Sequence, residues 1–262
     1  MEINKIAKEI KLFKSLVVND FSTRYNGSAF GSIWGFVNPI ITICVYWFVF
    51  TVGLRSGIRD DGTPYILWLI AGMVPWFFIS EAIMSMTSSF LDYGYLVKKV
   101  NFRIILIPLI KLGSAFIMHI FFLSISIIIF NISGYFINIY YFQLVYYLLG
   151  TMLLLCGLGV FLASIVVFFR DITQVVGIFI QIGFWAIPIV WSCDMLPPQY
   201  VPLFKLNPVF YIIEGYRESL LLKAPIYNHM NQGLYFWLIT LLALYLGNYT
   251  YRKLKPYFSD VL

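Results

Sequence analysis

A chain of 262 residues in which 61% of side chains are hydrophobic and 11% charged departs from soluble proteins, which carry roughly 45–50% and about 25%. So much apolar surface requires lipid, which excludes a soluble enzyme. The net charge of +6 fits basic residues flanking membrane spans and facing anionic headgroups, so no nucleic-acid partner is implied.

At the start of the chain, Ile3, Ile6, Ile10, Phe13, Leu16 and Val17 fall in one arc at about 100° per residue, and Lys5, Lys8, Lys11 and Lys14 fill the other. Residues 1–29 are therefore predicted to form an amphipathic interface helix on the cytoplasmic membrane surface, followed by a bend. It serves either as an anchor in anionic membrane lipid or as a platform that also touches a cytoplasmic partner. The stretch is too charged for a cleavable signal peptide. Residues 30–262 read as a transmembrane domain. A spanning helix needs about 20 apolar residues, and the uncharged intervals give six spans, at about 32–54, 65–91, 104–130, 139–168, 172–192 and 233–251. Gly72 and Pro75 are candidate kink points in the second, and Asn131 to Asn138 reads as a tight hairpin.

Before the last span, Leu196 to Leu222 carries Pro197, Pro198, Asn207 and Pro208, with Glu214 and Arg217 as i,i+3 neighbours on a helix. This predicts a re-entrant helical hairpin that closes the outer mouth as a gate and that impermeant reagents reach from outside. The predicted fold is an all-α integral membrane protein with six transmembrane helices, an N-terminal interface helix and an extracytoplasmic re-entrant hairpin. Thirteen Lys and Arg on the side of the termini against five on the other place both termini in the cytoplasm.

Several chemistries are missing. No Gly-Lys dipeptide occurs, so a phosphate-cradling nucleotide loop is excluded. Cys44, Cys156 and Cys193 have neither redox-pair nor zinc-site spacing, so no metal is expected. Glu81 and His119 are the carboxylate and the histidine expected within spans, too few for a proton-coupled carrier, and both are read as internal polar contacts. No acidic or histidine cluster points to a membrane-embedded glycosyl- or phosphotransferase, so no catalytic residue is assigned.

The segments Arg24 to Pro39, Ala71 to Phe78, Phe169-Arg170-Asp171-Ile172, Phe184 to Pro188, and Asn207-Pro208 with Glu214-Gly215-Tyr216-Arg217, in this order, resemble the permease subunits of ABC-2 type exporters of lipid-linked polysaccharides and teichoic acids. Val45 to Phe50, Glu214 to Arg217 and the tail Tyr257 to Leu262 look most like wall teichoic acid permeases; O-antigen and capsule exporters share the broader motifs. One departure is that Phe102 is followed by Arg103-Ile104-Ile105, where the family often has Phe-Pro-Arg-Glu. The resemblance implies a bacterial plasma-membrane exporter in which two copies of the chain form a pore above two copies of a separate ATPase. That ATPase would bind ATP and magnesium, so this chain needs no cofactor of its own.

Within that scheme Lys98, Lys99, Asn101, Phe102 and Arg103 are expected to form a coupling helix docked in the ATPase, the alternative being a solvated basic loop. Arg170 and Asp171 mark a second cytoplasmic turn. Arg24 and Tyr25 are expected at the substrate entry, at the depth of lipid phosphates. Alternatively, Arg24 pairs with inner-leaflet lipid or with Asp20, four residues earlier. Phe102→Asp is expected to detach the ATPase; co-purification with normal ATP hydrolysis would refute the coupling assignment.

Overall fold

The computed structural model describes residues 2–24, 33–53, 62–97 and 103–262. Tyr25 and Lys98 to Phe102 lie outside them. All regular elements among the described residues are helical. In chain order they are α1 (Glu2–Thr23), α2 (Ile33–Gly53), α3 (Tyr65–Asp92), α4 (Gly94–Val97), α5 (Leu106–Ile132), α6 (Gln143–Val166), α7 (Ile172–Ala186), α8 (Val201–Lys205), α9 (Pro208–Arg217), α10 (Met230–Leu254) and α11 (Phe258–Val261).

Long apolar helices lie where most of the long hydrophobic runs do, because one such run makes one helix that satisfies its own backbone polar groups. Among the described residues five helices are long and apolar enough to cross a membrane: α2, α3, α5, α6 with its leading turn Ile139–Phe142, and α10 with its flanking turns. The expected fifth span, 172–192, is the exception. Helix α7 stops at Ala186 after 15 residues, about 22 Å against a hydrocarbon core of about 30 Å. Pro188 disfavours helical geometry at the residue before it, and Ile187 is accordingly extended at φ −95°, ψ 137°. Ile187, Ile189 and Val190 are buried as irregular chain.

Helix α3 is the spine. It packs on α2, α5, α6, α7 and α9, and 72% of its apolar window is buried against 6% for α2. Pro75 sits within this helix, which continues through it. On the far side of α6, α10 packs so closely that a Cβ on Gly157 would stand 2.5 Å from the Ala243 carbonyl carbon. Phe90, Ile107, Val160, Tyr251 and Phe258 form a second apolar cluster that closes the end of the bundle carrying both termini.

At the opposite end, the Leu196–Leu222 segment carries α8 and α9 and is unevenly exposed. Pro197, Pro198 and most of α8 are exposed. Helix α9 is instead buried against α3, α6 and α10 from Phe210 to Arg217, apart from half-buried Glu214. Uniform access to reagents is therefore not what this packing provides. The start of α9 follows from its sequence: the Asn207 side chain accepts from Val209 N at 2.9 Å, and Pro208 occupies the first helical position, where no amide hydrogen is needed.

Gly157→Val is expected to drive α6 from α10 at a cost of about 3 kcal/mol, lowering the thermal midpoint in detergent. Gly177→Ala, whose nearest neighbour would be Met84 Cε at 3.7 Å, is expected to stay near the wild type.

Candidate functional site

Two ionic clusters attach peripheral elements to the spine. At the end carrying the termini, Asp20 of α1 is 2% exposed and receives Tyr93 Oη at 2.6 Å and Lys111 Nζ at 3.1 Å. Lys111 also reaches Asp92 at 3.2 Å, and Arg24 lies 3.6 Å from Asp20. Burial alone would raise the Asp20 carboxyl, but the Tyr93 hydroxyl and the Lys111 ammonium outweigh it and hold the group below the usual carboxylate range.

Arg24 extends from this cluster towards the bundle. Its guanidinium pairs with Glu81 of α3 and donates to Ser114 Oγ of α5 at 3.2 Å. Arg24 and Glu81 sit on the wall of a cavity of about 420 Å³ between α2, α3 and α5. Asn38, Thr42 and Ser80 add polar groups, while Trp34, Phe77 and Phe122 add flat apolar faces. Such a mixture suits a ligand with both hydroxyls and ring faces. The cavity reaches His119 of α5, whose Nε2 lies 2.9 Å from the Tyr216 hydroxyl and whose ring stacks on Phe78 at 4.6 Å.

Tyr216 leads to the second cluster. Its neighbour Arg217 has no exposed surface, yet its guanidinium donates to Pro188 O at 2.8 Å, Ile189 O at 2.7 Å and Glu214 Oε1 at 2.6 Å. The Trp68 ring centroid lies 3.5 Å from Cζ. Gly72 makes the space, since a Cβ there would come within 2.6 Å of Nη2. Irregular chain after α7 thus finds its donors on α9, and the buried cation finds its acceptors on that chain.

Of the residues singled out in the sequence, Asp20, Arg24, Glu81, Glu214 and Arg217 enter these clusters. Asn207 and Pro208 start the helix that carries the last two. Arg170 and Asp171 are exposed in the turn before α7. Arg103 is exposed, non-helical and paired with Glu9 of α1 at 3.0 Å. Sequence reasoning did not assign Lys111, Asp92, Tyr93, Trp68 or Tyr216. Asp92 offered only a charge beside one predicted span and Lys111 a charge near the start of the next, and nothing in the sequence paired them.

Residues 11–221 match the family model described as ABC-2 type transporter. The chain belongs to that family. This permease is 24% identical over 257 residues to an O-antigen export system permease protein RfbA of Klebsiella pneumoniae, covering 96% of each chain. It is 22% identical over 259 residues to the polysialic acid transport protein KpsM of Escherichia coli, covering 96% of this chain and 94% of that one. Over 195 residues it is 26% identical to the inner membrane transport permease YadH of Escherichia coli, covering 71% and 75%. Family membership and the apolar helices together make it a multi-pass membrane protein.

Arg217→Lys removes the fork that serves two carbonyls, and is expected to destabilise the permease by about 3 kcal/mol in thermal unfolding. Gly72→Ala should act in the same direction. Because the folded Asp20 carboxyl is held below its ordinary value of 3.8, its contribution is present above about pH 4 and lost as pH falls through the depressed value. Asp20→Asn is therefore expected to lower stability at pH 7 and to flatten the acid limb of a stability–pH curve.

Proposed function

We propose that this permease is the membrane subunit of an ATP-driven exporter that carries a lipid-linked cell-surface glycan from the cytoplasmic to the outer face of a bacterial plasma membrane. The observation that carries this reading is the Arg24–Glu81 pair on the wall of a cavity with aromatic faces between α2, α3 and α5. Arg24 presents a permanent planar charge for a phosphate, and the rings and hydroxyl-binding groups beyond it suit sugars. The excess of Lys and Arg on the side of the termini, thirteen against five, supports a cytoplasmic position for that end.

ATP hydrolysis then falls to a separate subunit, in keeping with a sequence that has no Gly-Lys nucleotide loop. Segment 98–102 is the proposed docking element. It is bracketed by Tyr93 and Arg103, both bonded to α1, so a push from the ATPase would reach Arg24 through Asp20. A second copy of the permease is proposed to complete the pore. Asn38 on α2 and Gln174 and Gln181 on α7 are exposed, and hydrocarbon would penalise such groups.

Relatives matched over nearly their whole length bear O-antigen and polysialic acid names, and this favours a polysaccharide of that class as cargo. A teichoic acid cargo rests on three short stretches, Val45 to Phe50, Glu214 to Arg217 and Tyr257 to Leu262.

Depletion of the permease is expected to cause a lipid-linked polymer to accumulate inside the cell, and mass spectrometry of that polymer identifies the cargo. Arg24→Lys and Glu81→Gln are each expected to reduce export about tenfold while co-purification of the ATPase is unchanged. Normal export by both variants would remove the cavity from the transport path.

A further inference from the structure

Beside the cavity, α1 and the bundle form a recess that the transport reading leaves unused. Val17 seats α1 on α5 at Gly113, where a Cβ would come within 2.9 Å of Val17 Cγ2. Next to this contact the helices α1, α5 and α6 line an open recess of about 470 Å³, walled by Phe13, Val18, Leu109, Phe116 and Met152. Among the described residues of the lining, Lys14 is the only charged one. Lys11, one turn earlier on α1, is exposed, as is Lys14 itself.

The dimensions and charge select the occupant. A helix with its side chains is about 10–12 Å across, too wide for this volume at any useful length, whereas a single hydrocarbon chain fits. Water gains little from a wall that is apolar apart from Lys14 at its edge. The rim is basic, with Lys11 and Lys14 standing where α1 meets the headgroup region, which complements an anionic phosphate. We propose that this recess binds one acyl chain of an anionic phospholipid, with the headgroup phosphate against Lys14. The proposal rests on α1 lying at the membrane surface, as in the transport reading, but needs neither the ATPase nor a particular cargo.

The test uses the full-length permease in detergent, supplied with phosphatidylglycerol or phosphatidylcholine of identical acyl composition, and counts retained lipids by native mass spectrometry. The wild type is expected to retain phosphatidylglycerol with about fivefold preference, the ratio set by one basic residue at a membrane surface. Lys14→Gln should abolish the preference while leaving lipid retained, and Met152→Trp, which fills the recess, should abolish retention. Leu109→Trp tests the same wall should the first tryptophan variant fail to fold. Glycerol phosphate, the headgroup chemistry without the chain, should not compete. Undiminished retention by a folded tryptophan variant, the absence of any preference in the wild type, or displacement by glycerol phosphate would each overturn the proposal. A failure of export with normal lipid retention would count against the transport reading alone.

Discussion

A guanidinium with no exposed surface sets the terms for one end of this bundle. Arg217 can be buried because two carbonyls, a carboxylate and an indole face surround it. Each of those partners imposes a condition elsewhere. The carbonyls are available only because α7 breaks before Pro188. The indole reaches the cation only because position 72 of α3 lacks a side chain. Removing one participant leaves the others with unmet polarity in an apolar interior, where an unpaired buried charge is among the costliest defects.

The opposite end of α3 follows the same rule with a different geometry. There Asp20 gathers Tyr93, Lys111 and Arg24, and Arg24 passes the connection on to Glu81 and Ser114. An amphipathic helix that would otherwise rest on lipid is thereby joined to the transmembrane core. The two clusters are linked through the cavity, since His119 lines it and touches Tyr216, the neighbour of Arg217. Entry and gate residues of the transport reading thus share one scaffold, the deeply buried α3.

The expectations about Arg24 show how sequence and structure divide the work. The i,i+4 relation with Asp20 was legible because helical spacing is local. The pairing with Glu81 was not, because it joins residues 57 positions apart and depends on how α1 crosses the bundle. Glu214 and Arg217 repeat the pattern: their i,i+3 contact was readable, but the full burial of Arg217 was not. A charged residue in a proline-rich segment looks solvent-facing until the broken end of α7 supplies its acceptors. Residues Tyr25 and Lys98 to Phe102, expected at the entry and the coupling segment, lie outside the described residues.

By itself the sequence determined that the chain is a helical membrane protein and where most of its long apolar helices run. These properties follow from composition and short-range periodicity, because lipid forces each span to satisfy its own backbone and the hydrophobic run length sets the helix. Only the tertiary structure decided that α7 stops short, that α9 is interior, and which charges meet. Those outcomes depend on which apolar faces pack together and on whether a buried ion finds acceptors across the bundle, and both are contacts between segments far apart in the chain.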